Sequence, residues 1–167
     1  KQTLENLSAG SFEGLVAAMW SAEGYQTYVT PSAADAGIDV VAISEDTVYC
    51  IHVRHVASFG TQVDEGVLGQ VRNGASHYMA NIFPKKLSAR SLRLAVVTNG
   101  KSSRRLDSAA KRDDIQFIGA DELLKRISRR PVAMTEVYQA DIRRCTDLRE
   151  LKAELQARYH DVGKKGL

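Results

Sequence analysis

The sequence predicts an α/β domain with a mixed, about five-stranded sheet between helices. Its core order is α-β-β-β-α-β, and further helices follow at the C-terminal end. Three observations carry that prediction. Three short runs rich in β-branched and aromatic residues follow one another closely in the first third of the chain, joined by turn-forming segments, as in an antiparallel meander. Two later apolar runs are separated by a helical segment, which implies parallel neighbours. Around these runs, apolar residues recur at spacings of three and four, the period of a helix with one buried face.

Residues 11–20 read as a helix, with Phe12, Leu15, Val16 and Met19 on one stripe, Ser11 as N-cap and Gly24 ending it. Residues 25–29 alternate as a short strand, and 31–37 form a loop. Residues 38–43 and 47–55 are two strands joined by the turn Ser44-Glu45-Asp46. After a loop at 58–62, residues 64–82 form a long helix with Val67, Val71, Ala75, Tyr78 and Ile82 in line. Residues 83–91 read as a basic connection containing Pro84. Residues 92–98 are mostly apolar, as expected of a strand covered on both faces. Beyond the turn Asn99-Gly100, Ser102 or Ser103 caps a helix running to about residue 112, followed by a strand at 115–118 and a helix at 120–128.

Pro131 marks a boundary: residues 1–130 are expected to form one domain and 131–167 a C-terminal helical extension. Helix is expected over 132–161, with a restart at Asp147, where Glu150 completes a capping box. Leu148, Leu151, Leu155 and Tyr159 then form an apolar stripe for packing on the domain, or on a homodimer mate or partner protein. Residues 163–167 are expected to fray. Residue 1 is Lys, so the chain is expected to be part of a longer protein or a processed product.

The net charge of +3 hides an asymmetry: residues 1–83 carry −6, residues 84–130 carry +8 and residues 131–167 carry +1. A basic segment beside an acidic one suits a phosphate-rich partner, although a solvated basic surface would read the same way. No apolar run approaches the ~20 residues of a membrane span, and the sequence shows no signal-peptide pattern. Cys50 and Cys145 are far apart and unsuited to a zinc or disulfide framework, so reduced thiols in a cytoplasmic protein are expected. Walker A, G-x-S-x-G, H-E-x-x-H and dinucleotide motifs are absent.

The chemistry concentrates in Gly37-Ile38-Asp39-Val40-Val41 and, one hairpin later, Ile51-His52-Val53-Arg54. Side chains alternate along a strand, so His52 and Arg54 share one face and Ile51 and Val53 the other. An acid on one strand beside a polar-x-cation pair on the next is a metal-nuclease layout. Asp39 also reads as a strand-edge acid, His52 and Arg54 as solvent-facing residues, and Arg54 as an ion-pair partner of Asp39 or Glu13. Glu13 suits a first helical turn on dipole grounds alone. His55 should face away from His52, and Trp20 and Tyr78 suit the core.

With these residues in place, the region from about residue 11 to residue 127 resembles the Mrr-like branch of the PD-(D/E)xK restriction-endonuclease superfamily. The ordered landmarks are Phe12-Glu13, Glu23-Gly24-Tyr25, Gly37-Ile38-Asp39-Val40, the strand of the spaced pair, Val96-Val97-Thr98-Asn99-Gly100 with Ala109-Ala110, and Ile115-Gln116-Phe117-Ile118-Gly119 with Leu123-Leu124. The resemblance implies a restriction-endonuclease-like core and a metal-dependent nuclease site. It makes Asp39 the metal-binding acid, His52 the occupant of the usual Glu or Gln position and second metal ligand, Arg54 the occupant of the Lys position, and Glu13 the helix acid. Mg²⁺ or Mn²⁺ is the implied cofactor if the site is active, and none if it is not.

The departures have consequences. Mg²⁺ wants oxygen ligands, whereas imidazole supplies nitrogen. Arginine stays protonated, so it binds phosphate but cannot act as a base. Two functions are therefore expected to compete. One is a DNA-directed domain that binds duplex DNA through Lys85, Lys86, Lys101, Ser102, Arg104 and Arg105 and hydrolyses phosphodiesters with a divalent metal. The other is a catalytically inactive module of the same fold for DNA binding or protein docking.

Overall fold

A computed structural model of the chain describes residues 4, 6–31, 37–58 and 60–160. Its strands are β1 (Gln26–Val29), β2 (Val40–Ile43), β3 (Thr47–Arg54), β4 (Ser91–Thr98) and β5 (Ile115–Ile118). Its helices are α1 (Ala9–Ala22), α2 (Gly66–Asn81), α3 (Lys85–Ser88), α4 (Arg104–Arg112), α5 (Ala120–Arg129), α6 (Met134–Ile142) and α7 (Leu148–Arg158). The strands lie in chain order, β1-β2-β3-β4-β5. The first three are antiparallel; β3, β4 and β5 are parallel. The mixed five-stranded sheet between helices is thus present, with its two halves divided at β3.

Each face of the sheet has its own core. On one, Val41, Ile43, Val48 and Cys50 meet α2, α4 and α7 through Val71, Tyr78, Leu106, Leu151 and Leu155. On the other, Val40, Ala42, Ile51, Val53 and Val97 meet α1, α5 and α6 through Phe12, Val16, Trp20, Leu123 and Val137. Trp20 and Tyr78 are core residues, and both cysteines are free and buried.

Several expectations shift. The first helix starts at Ala9, because the Ser8 hydroxyl accepts from the Ser11 N–H at 3.1 Å; Ser11 is the donor to the cap rather than the cap. Gly24 follows that helix at φ 98°, the left-handed geometry that favours glycine. The basic connection contains one helical turn, α3, starting just after Pro84, whose fixed φ suits a helix start. The apolar strand β4 is covered only in its second half: Ser91, Leu92 and Arg93 are exposed. Ser103, not Ser102, caps α4.

The C-terminal helical run divides into α6 and α7. Asp147 caps α7 by accepting from the Glu150 N–H at 2.9 Å. The Glu150 carboxylate reaches back to the Thr146 N–H, one residue beyond the usual box. Leu151 and Leu155 are fully buried, with Leu148 and Tyr159 partly so, and the stripe packs on the sheet's own core. Helix α6 lies on one face of the sheet and α7 on the other. The chain between them passes the open edge of β1, where the Cys145 N–H donates to the Val29 carbonyl at 3.2 Å. This crossing clasps a strand edge that would otherwise present unpaired backbone groups. The expected tail at 163–167 and most of the loop at 31–37 fall outside the described residues.

Candidate active site

The C-terminal ends of β1, β3 and β4 and the N-terminal end of β2 meet at one end of the sheet. Gly37 leads into this point at φ 75°, and a Cβ there would lie 2.6 Å from the Gln70 carbonyl oxygen, so the bend before Asp39 requires glycine. Asp39 is held firmly. Its N–H donates to the Ile51 carbonyl at 2.8 Å, and its carbonyl accepts from the Thr30 N–H at 3.0 Å. Its carboxylate Oδ2 accepts from the Val53 N–H at 2.7 Å, taking over the ladder where β2 leaves β3.

His52 Nδ1 lies 3.1 Å from Asp39 Oδ2. The approach is close but poorly aligned, and neither buried ring nitrogen has a hydrogen-bond partner among the described residues. Arg54, on the same side of β3, is exposed at the strand's end, and it forms no ion pair among the described residues. Its backbone is fixed from β4: the Thr98 hydroxyl donates to the Arg54 carbonyl at 2.6 Å. The buried Asn99 amide donates to the Val56 carbonyl and accepts from its N–H, at 2.9 and 2.8 Å. A Cβ on Gly100 would sit 2.8 Å from the Thr61 carbonyl oxygen, which is why Thr-Asn-Gly closes this corner. His55 turns to the opposite face, with its ring 5.8 Å from that of Phe12 and Nε2 3.0 Å from the Leu7 carbonyl oxygen.

Glu13 comes from α1 and has a partner that sequence reasoning missed. Arg144 Nη1 donates to Glu13 Oε1 at 3.0 Å and to the Thr30 carbonyl at 2.9 Å. Nη2 donates to Asp141 Oδ1 at 2.9 Å. The pair is well shielded, with side-chain exposures of 12% for Arg144 and 13% for Glu13. Thr30 is also the backbone partner of Asp39, so Arg144 is one residue removed from the strand acid. The cation on Glu13 is therefore Arg144 and not Arg54. Burial pushes the Glu13 carboxyl above its ordinary value; the Arg144 hydrogen bond opposes this, and the Asp39 and Asp141 charges reinforce it. For Arg144 itself, burial works against the charge, but the hydrogen bonds to Glu13 and Asp141 outweigh it and raise the pKa further.

Two glycines bring Arg144 here. Gly10 and Gly14 flank Glu13 on α1, and a Cβ on Gly14 would sit 2.4 Å from the Val137 carbonyl oxygen. That close approach of α6 to α1 sets Asp141 and Arg144 over Glu13. The Gly-x-x-x-Gly spacing was the available sequence signal; nothing around Arg144 distinguishes it from Arg143.

The basic residues divide between the two ends of the sheet. Lys101, Ser102, Arg104 and Arg105 follow β4 and lie at the Asp39 end, with Lys101, Arg104 and Arg105 exposed and Arg105 paired to Glu65 at 2.7 Å. Lys85 and Lys86 precede β4 and lie at the far end, about 23 Å of strand away.

The residues at the Asp39 end do not match what Mg²⁺ requires. Asp39 has one oxygen already committed to a backbone N–H, His52 offers nitrogen, and Glu13 is neutralised by Arg144. Among the described residues, no three His, Cys, Asp or Glu side chains converge.

The restriction-endonuclease family with the Mrr-type catalytic domain matches residues 4–127. The chain belongs to this family. Among solved structures, it is similar to MspJI restriction endonuclease in complex with a 27-mer oligonucleotide, with 19% identity and a TM-score of 0.52 over 95% of this chain. The match covers 35% of that longer chain. A protein of unknown function is also similar, with 17% identity and a TM-score of 0.47, covering 95% of this chain and 92% of that one. None of the curated proteins matches. Arg144 lies beyond the stretch that the family matches. Among the described residues, no helix is long and apolar enough to cross a membrane.

Proposed function

We propose that this Mrr-like domain binds duplex DNA through the phosphate backbone and is impaired in, or has lost, metal-dependent hydrolysis. The observation that carries the reading is the exposed Arg54, with Lys101 and Arg104 at the same end of the sheet, beside a centre whose acids are engaged by protein groups. A permanently charged guanidinium suits bidentate phosphate binding and cannot take a proton from water. Ser102 and the start of α4 add hydrogen-bonding groups at that end. Lys85 and Lys86 would serve only a duplex that extends to the far end. The buried thiols, with Cys50 pushed up to about 12 by burial, suit a cytoplasmic setting.

One observation favours a residual activity. The two His52 nitrogens beside Asp39, without a hydrogen-bond partner among the described residues, would tolerate Mn²⁺ better than Mg²⁺. The test is nicking of supercoiled plasmid at low salt with each metal, alongside a mobility-shift titration and an Asp39→Ala control. A salt-sensitive shift without nicking is expected. Nicking that disappears in Asp39→Ala would replace this reading with a working nuclease. Absence of binding at low salt would turn it towards protein docking through the C-terminal helices, or a homodimer.

A further inference from the structure

We propose that Arg144 is a built-in counter-ion at Glu13, and that the C-terminal clasp thereby sets how well this centre takes a divalent cation. The proposal rests on the reading that Asp39 and Glu13 stand where the family holds its metal, but it does not depend on DNA binding.

Four observations converge on it. Arg144 is largely shielded from solvent, yet it carries a full charge into a site lined by Glu13 and Asp141. It bridges the two halves of the centre, since Nη1 bonds both Glu13 on α1 and the carbonyl of Thr30, the residue paired with Asp39. Its position is set by close packing at Gly14 and by the Cys145 bond to the β1 edge, so the guanidinium is held there by backbone contacts as well as by charge. Its segment lies outside residues 4–127, so a part of the chain beyond the family's own stretch reaches back onto the family's acid. A buried carboxylate needs a compensating cation. With Arg144 present that need is met from within the chain. Without it, Glu13 keeps the repulsion of the Asp39 and Asp141 charges with no cation to offset it, the arrangement that attracts a divalent ion.

The test is Mn²⁺ binding to the whole chain in the absence of DNA, by calorimetry and electron paramagnetic resonance, in the wild type, Arg144→Gln, Arg144→Lys and the double variant Arg144→Gln/Glu13→Gln. Circular dichroism reports folding throughout. Arg144→Gln is expected to bind Mn²⁺ about tenfold more tightly or better than wild type, as loss of one like charge near the ion implies. The gain should vanish in the double variant and be smaller in Arg144→Lys, which keeps the charge. A folded Arg144→Gln that binds Mn²⁺ no better than wild type overturns the proposal, as does a gain that survives Glu13→Gln. If Arg144→Gln is unfolded alone, excess Mn²⁺ should restore its native spectrum by binding the folded form. Failure to do so makes Arg144 a structural tether only. Because the readout is metal affinity, a DNA-binding failure would leave this result intact.

Discussion

The strand half and the helix half of the centre differ in how fully their polar groups are satisfied. On the helix side, Arg144 uses its guanidinium on Glu13, Asp141 and two backbone carbonyls. On the strand side, the His52 nitrogens have no hydrogen-bond partner among the described residues and Arg54 is open to solvent. The difference teaches that the helix half is organised for the chain's own integrity, while the strand half leaves polar groups that the described residues do not engage. A shielded pair such as Glu13 with Arg144 is costly to break on one side only, whereas an exposed arginine can be removed at little cost to folding.

The largest effect expected from disturbing the helix half comes from its outer support. Leu151→Ala, which empties a fully buried site on α7, should cost about 2–5 kcal/mol in urea unfolding. If it cost nothing, the clasp would not be integral to the fold. Gly14→Ala is next: its new Cβ meets the α6 backbone, which must move, and about 1–3 kcal/mol of stability should be lost. Chemical-shift changes should concentrate at residues 137–144 and spare His52 and Arg54; an even spread would erase the distinction between the halves.

Smaller still is a pH effect. Glu13 titrates above its ordinary value in the folded chain, so the native state holds its proton longer than the unfolded state does. Its contribution is therefore fully present below the ordinary value of 4.5 and is lost as pH rises through the higher folded value. Comparing Glu13→Gln with wild type between pH 4 and 7, the wild type should lose stability relative to the variant as pH rises across that window. A relative gain would mean that the Arg144 pair outweighs burial. At the low end, Arg54→Ala should change stability by no more than about 0.5 kcal/mol. Its DNA-binding salt slope should fall by about one unit. An unchanged slope would remove Arg54 from the proposed interface.

The sheet was readable because its information is local. Alternation along 47–54 separates Cys50 and Ile51 onto opposite cores, and the hairpin and crossover lengths give antiparallel and parallel neighbours. Asp39, His52 and Arg54 were locatable as a group for the same reason. Where the sequence reading went astray, two local solutions competed or the partner was remote. Ser8 and Ser11 are both good caps, and only the Ser11 N–H direction separates them. Arg144 pairs with Glu13 across 131 positions, and no periodicity reports a contact of that range.

The crossing of the chain over β1 has a consequence for synthesis. Residues 9–129 leave the ribosome before the clasp does, and a nascent chain folds from its N-terminal side. Until the last two helices emerge, the β1 edge is exposed and the Glu13 carboxylate has no guanidinium. Premature termination shortly after α5 would therefore release a product with both an open strand edge and an uncompensated acid, one prone to associate with its own copies rather than to reach the native state.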